Sequence, residues 1–256
     1  GTLVCHPNNH PQDSDLLEID DTDEIINFIS KPHAGDKYYT NLVNAGVSVL
    51  RKDILKDMEK NKFYDFGKDI YPRYVGKNLY GYNTPEYLHD IGTPKRYENV
   101  LNDIRKNLPE KMNLDNKRKA FFIDRDGTIN KYVPFIEKIE DFELLENVGN
   151  AIKIINNSEW LGIVVTNQPQ VARGQLFEKD IKYMHKKMEY LLGLEGAMLD
   201  AIYYCPHHPD KGFDGENVEY KIACNCRKPS SGLYLEAKKR FNIDLENSVF
   251  IGDTSR

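Results

Sequence analysis

Phe121-Phe122-Ile123-Asp124-Arg125-Asp126-Gly127-Thr128-Ile129-Asn130 decides the fold of this chain. An apolar run stops at two carboxylates with one residue between them, and a glycine and a threonine follow. Such a run has the character of a strand buried on both faces of a parallel sheet. Its carboxyl end is where open α/β sheets place their ligands. Residues two apart in an extended segment point the same way, so Asp124 and Asp126 are expected on one side of the loop. Two acids so placed repel unless a cation lies between them, and a hard ion such as Mg²⁺ suits carboxylate oxygens. A plain Asp-Arg-Asp-Gly surface turn is the alternative reading of the same letters.

Strand and helix alternate from Lys119 onward, which argues for a parallel sheet covered by helices. Further strands are expected over 161–167, 201–204 and 248–253, and helices over 147–158, 177–192 and 231–241. The stretch 131–145, with Pro134, suits a flap, and Gln168 to Gly174 is a polar loop carrying Arg173. The strand ends bring Asp124, Thr166, the loop leading to Lys228, and Asp253 to one edge of the sheet. Singly, Thr166 reads as a turn hydroxyl and Lys228 as a solvated lysine; the ordered set points to phosphoryl transfer.

A second cluster is Cys205-Pro206-His207-His208-Pro209 with Cys224-Asn225-Cys226. Three thiolates and one imidazole (Cys205, His207, Cys224, Cys226) suit a closed, structural, tetrahedral Zn²⁺ site. His208 is an alternative to His207, and a disulfide or free thiols are the alternative for the cysteines. The polar loop 210–223 is too poor in apolar residues to order itself, so metal supplies that ordering. Arg227 and Lys228 follow directly, and the metal would brace the loop that aims the lysine.

The N-terminal part is different in character. Short strands are expected at 2–5, 15–20, 24–29 and 41–50, the last with Gly46 inside it, then a helix from Asp53 to Glu59, a tyrosine-rich stretch over 63–87 and a helix over 95–107. His6, His10 and His33 are assigned to turns. Residues 106–118, polar and basic with Pro109, suit a linker. The chain carries a net charge of −5 over 256 residues. That mild acidic excess argues against a general nucleic-acid or anionic-membrane binder. No apolar run approaches a bilayer span and no signal pattern opens the chain, so a cytoplasmic location is expected.

The segment around Asp124 resembles the first motif of the haloacid dehalogenase superfamily of aspartate-nucleophile phosphatases, and the later motifs follow in order over 119–256. The resemblance implies a Rossmann-like parallel sheet with a minimal cap and a zinc loop. It implies Asp124 as nucleophile, Asp126 as acid and base, Thr166 and Lys228 on the phosphoryl group, and Mg²⁺ held by Asp124, Asp126 and Asp253. Asp-Arg-Asp-Gly-Thr, Thr-Asn-Gln, Cys-Pro-His-His-Pro and Cys-Asn-Cys-Arg-Lys-Pro narrow it to the zinc-containing branch with the heptose-bisphosphate and histidinol-phosphate phosphatases. On that branch Asn167, Gln168, Arg173 and Arg227 would contact substrate. Pro169-Gln170 departs from the usual Ser-Gly type pair and bears on the shape of that loop.

Residues 1–105 resemble the C-terminal part of a sugar-phosphate nucleotidyltransferase, through His-Pro-Asn-Asn-His-Pro, Lys31-Pro32, Asn44-Ala45-Gly46 and Asp90-Ile91-Gly92-Thr93-Pro94. The resemblance implies Lys31 on a sugar phosphate, Asn44 in the sugar pocket and Asp90 as a carboxylate for Mg²⁺. No Gly-rich phosphate loop occurs in 1–105, so transferase activity is not expected of this chain. Both activities belong to nucleotide-activated heptose synthesis. The expected substrate is therefore the 7-phosphate of heptose 1,7-bisphosphate. Histidinol phosphate, another small phosphomonoester, or a catalytically silent sugar-phosphate-binding fragment are the alternatives.

Overall fold

The computed structural model describes residues 1–134, 136, 138–212 and 214–253. They form two compact units, residues 1–84 and 85–256.

The N-terminal unit is a five-stranded sheet. Its strands are β1 (Thr2–His6), β2 (Leu16–Ile19), β3 (Ile25–Ile29), β4 (Val43–Val49) and β5 (Tyr80–Asn83), in the order β3-β2-β4-β1-β5. β1 runs antiparallel to β4 and parallel to β5. The β2–β3 hairpin closes on Asp20, whose carboxylate accepts from the backbone N–H groups of Thr22 (2.8 Å) and Glu24 (3.0 Å), as short polar side chains do in turns. Leu3, Cys5, Leu17, Ile25, Tyr71 and Leu79 make the core. The expected helix from Asp53 is a 3₁₀ turn, Lys52–Asp57, because Ile54 alone is buried and cannot anchor an α-helical face. β5 emerges inside the tyrosine-rich stretch. Its buried position is Gly81, where an added Cβ would lie 2.9 Å from Ile19 and 3.2 Å from Cys5, so the strand gives no apolar signal.

In the C-terminal unit, α1 (Pro94–Arg105) starts at Thr93, whose hydroxyl accepts from Arg96 N at 3.3 Å. The segment expected as a linker contains a short helix, α2 (Leu108–Lys111), and ends at Arg118. Arg118 is buried and donates to the carbonyls of Pro85 (2.9 Å) and Glu159 (3.1 Å).

The sheet that follows is fully parallel. Its strands are β6 (Ala120–Ile123), β7 (Leu161–Asn167), β8 (Ala201–Cys205) and β9 (Val249–Ile251), in the order β8-β7-β6-β9. Helices α3 (Val148–Asn156), α4 (Glu178–Leu194) and α5 (Gly232–Phe241) connect them. Alternating strand residues separate into two cores. Ile123 and Val164 join Ile152, Met184 and Met188 on one face, while Phe122, Ile163 and Val165 join Leu233, Ala237 and Phe241 on the other. The expected flap is closed at its base by Lys131 N to Glu143 O (3.0 Å) and Leu145 N to Ile129 O (2.9 Å), with Ile136 and Phe142 buried. Its residues 135 and 137, and residue 213 of the expected zinc loop, lie outside the described residues. Among the described residues no helix is long and apolar enough to cross a membrane.

Gly162 and Asp200 exchange two bonds that seat β8 on β7: Gly162 N donates to the Asp200 carboxylate (2.7 Å) and Asp200 N to Gly162 O (2.8 Å). Burial pushes Asp200 up to about 6, against the Gly162 bond and the Arg118 charge, which lower it. A carboxyl raised on folding binds its proton more tightly in the native state. Its contribution is therefore complete below pH 4 and is lost as pH rises toward 6, by an amount on the order of 3 kcal/mol. Urea midpoints at pH 4, 5 and 6.5 should show this slope in the wild type and a flatter one in Asp200→Asn.

Candidate active site

The parallel register delivers the polar ends of β6, β7 and β9 to one edge of the sheet, and Lys228 arrives there from the loop between β8 and α5. Lys228 Nζ lies 2.6 Å from Asp124 Oδ2 and donates to Val165 O at 2.9 Å. Its backbone is clamped by the Asn167 amide, which accepts from Lys228 N (2.9 Å) and donates to Lys228 O (3.1 Å). Asn167 thus holds the lysine in place. Asp253 reaches the same loop: a Cβ built on Gly127 would meet its Oδ2 at 2.8 Å. Gly127, at φ +79°, satisfies both the turn and this approach.

Asp126 has a separate set of partners. Arg125 donates to it from Nε (3.0 Å to Oδ1) and Nη2 (2.8 and 2.9 Å to the two oxygens). Asn130 Nδ2 (3.1 Å) and Gln168 Nε2 (2.8 Å) add two more donors. The side chains of Asp124 and Asp126 therefore answer different cations. Gln168, fully buried, also donates to the Thr166 hydroxyl (2.9 Å) and accepts from Arg125 (2.7 Å). Arg125 is fully buried, its remaining Nη1 3.3 Å from His185 Nε2 and its guanidinium 5.9 Å from the centre of the Phe142 ring. Burial, and then the Arg125 charge, hold His185 well below its ordinary range, so it is a neutral acceptor. Sequence reasoning passed over Arg125, Asn130 and His185. No local signal marks Arg125, which lies just past the end of β6 and whose other buried partners, Gln168 and His185, come from distant parts of the chain.

The thiols of Cys205, Cys224 and Cys226 lie 3.1–3.6 Å apart, and His207 Nδ1 is 3.2 Å from Cys226 and 3.7 Å from Cys205. A zinc–sulfur distance of about 2.3 Å places tetrahedral ligands roughly 3.7 Å apart, so the four donors fit that ion. Burial, and then the hydrogen bond with Cys226, push the Cys205 thiol far up. His208 instead accepts from Asp210 N (3.2 Å), which leaves His207 as the imidazole of the cluster. Arg227 donates to His207 O at 3.2 Å. The loop also packs on the 168–174 turn: Asn217 N donates to Ala172 O (3.1 Å), and a Cβ on Gly174 would strike Gly215 O at 1.9 Å. Arg173, half-buried, belongs to that turn.

The remaining predicted residues lie elsewhere. Lys31, exposed, donates from Nζ to Asp13 O (2.8 Å). Asn44 accepts from Gly46 N (3.2 Å) and lines a hollow of about 450 Å³ with Asp15, Gly46, Asp65 and Tyr71. Both belong to the N-terminal unit. Asp90, in the C-terminal unit, pairs with Arg96 and accepts from Gly92 N (2.6 Å).

Residues 119–256 match the family model described as polynucleotide kinase 3 phosphatase, and residues 1–107 the one described as nucleotidyl transferase. A D-glycero-beta-D-manno-heptose-1,7-bisphosphate 7-phosphatase of Haemophilus ducreyi is 40% identical over 137 residues, covering 53% of this chain and 72% of that protein. The protein of the same name from Haemophilus influenzae is 38% identical over 136 residues, covering 53% and 71%. Among solved structures, a haloacid dehalogenase-like phosphatase from Mesorhizobium loti superposes with a TM-score of 0.50 at 30% identity, covering 54% of this chain and 64% of that one.

Metal-depleted protein should take up one zinc per chain, measured by elemental analysis after gel filtration. Cys226→Ser should lose that uptake, while Cys5→Ala, in the other unit, should keep it.

Proposed function

The chain belongs, through residues 119–256, to the polynucleotide kinase 3 phosphatase family, and from that membership we propose that it hydrolyses a sugar phosphomonoester, the 7-phosphate of D-glycero-β-D-manno-heptose 1,7-bisphosphate. The contact of Lys228 with Asp124 at 2.6 Å carries this reading, because it places an ammonium on the carboxylate that must approach a phosphate dianion. Asp124 attacks phosphorus, the bond from phosphorus to the sugar oxygen breaks, and Asp126 gives its proton to that oxygen. Water then attacks the aspartyl phosphate and yields its proton to Asp126, releasing inorganic phosphate and restoring Asp124. Thr166 and Lys228 donate to the phosphoryl oxygens during both transfers. On the family pattern the Asp124 carboxylate, the Asp126 main-chain carbonyl and the Asp253 carboxylate would hold Mg²⁺, which would supply positive charge to the transferring group. Arg173, on the turn that the cysteine loop packs against, and Arg227, next to Lys228 in the chain, suit the second phosphate of a bisphosphate. Zinc acts as a brace for that loop and for Lys228.

In the N-terminal unit the hollow beside Asn44 supports binding of a sugar phosphate, with Lys31 as the phosphate contact; Asp90, in the C-terminal unit, is a carboxylate for a metal on the family pattern alone. Those roles rest on the nucleotidyl transferase match.

Phosphate release with Mg²⁺ from a panel containing heptose 1,7-bisphosphate and histidinol phosphate tests the proposal. The bisphosphate should be preferred, and Asp124→Asn should lower turnover by at least 10³-fold. Equal rates for wild type and variant would remove Asp124 as nucleophile, and preference for histidinol phosphate would replace the substrate.

A further inference from the structure

Arg125 carries its charge where no water reaches it. A guanidinium so placed is tolerated only when hydrogen bonds and an opposite charge surround it. Its partners are Asp126, Gln168 and His185, and the Phe142 ring packs beside it. Three of the five donor contacts on the Asp126 carboxylate come from this one side chain, through a fork that fixes the plane of the acceptor. The remaining two come from Asn130 and Gln168, and Gln168 is itself oriented by Arg125. His185, on α4, lies 3.3 Å from the far side of the fork, and its neutral ring accepts there.

We infer that Arg125 is the positioning residue that sets Asp126 for proton transfer, with His185 and Gln168 holding the guanidinium in register. The inference rests on the phosphatase reading above, in which the proton on Asp126 goes to the departing sugar oxygen as the phosphorus–oxygen bond breaks. Arg125 touches neither phosphate nor leaving group. Its effect passes wholly through the direction of one carboxyl group.

A leaving group that needs no proton separates this role from simple support of the fold. A sugar alkoxide must be protonated as it departs, whereas p-nitrophenolate leaves as a stable anion. The measured quantity is kcat/KM, which covers steps up to release of the alcohol, for a sugar phosphate and for p-nitrophenyl phosphate. The full chain is used with Mg²⁺. General-acid contributions span roughly 10²–10⁴-fold. Arg125→Met should lower kcat/KM for the sugar ester at least tenfold more than for the aryl ester. Asp126→Asn should show the same selectivity, and Arg125→Lys should restore part of it. Gln168→Leu, which removes another donor from the same carboxylate, carries the comparison should Arg125→Met not fold. Equal losses on both esters would overturn the inference while leaving the phosphatase reading intact. A wild type that releases phosphate from neither ester would overturn both.

Discussion

Three carboxylates gathered at one end of a parallel sheet repel one another, and much of the structure around them answers that constraint. Asp124, Asp126 and Asp253 all reach the edge formed by β6 and β9. The protein brings a separate cation to each of the first two: Lys228 to Asp124 at 2.6 Å, and the fork of Arg125 to Asp126. Asp253 approaches the loop at Gly127, where the absence of a side chain lets a carboxylate close on the backbone. The spacing alone suggests one metal ion between the acids, and the structure adds protein cations to that expectation. These cations assign different surroundings to two carboxylates of identical chemistry. An attacking acid and a proton-carrying acid need that difference.

Each cation depends on a different piece of chain. Lys228 is reached through the cysteine loop, and the loop is positioned by packing that does not touch the reacting groups. Glu178, at the start of α4, accepts from Tyr204 OH (2.6 Å) on β8 and Tyr220 OH (2.7 Å) in the loop. Lys221, buried, donates from Nζ to Asp210 O at 2.6 Å and lies 3.3 Å from Glu216. Gly174 and Gly215 meet backbone to backbone. These contacts tie the loop to the turn bearing Arg173, so a metal held by Cys205, His207, Cys224 and Cys226 would steady both the ammonium on Asp124 and that turn.

The parts of the molecule visible in the sequence are those where chemistry and burial leave a periodic trace. β7 is buried along nearly its whole length and reads as a continuous apolar run. The four zinc donors are legible because three thiols and an imidazole at close spacing seldom gather except around a metal. β5 was lost because its inward position is a glycine, and the helix expected at Asp53 because propensity without a buried face does not hold an α-helix. Residues 106–118 read as polar and basic, yet Arg118 is buried by carbonyls that are distant in sequence and leave no local mark. The family resemblance implies that Asn167 and Gln168 contact substrate. Their amides prove to be engaged by Lys228 in one case, and by Asp126, Arg125 and Thr166 in the other.

Arg125 carries the same lesson to its physical limit. A charged residue between two acids looks like a spacer, since composition cannot tell a solvated arginine from a buried one. Its burial is decided by α4, which brings His185 to within 3.3 Å of the guanidinium some sixty residues later in the chain. A protonated imidazole there would set two positive charges against each other in the core. The neutral ring that burial favours avoids that repulsion and leaves Nε2 to accept from the guanidinium. The carboxylate expected to carry the proton is aimed by a cation, and that cation is held by a ring that burial keeps uncharged.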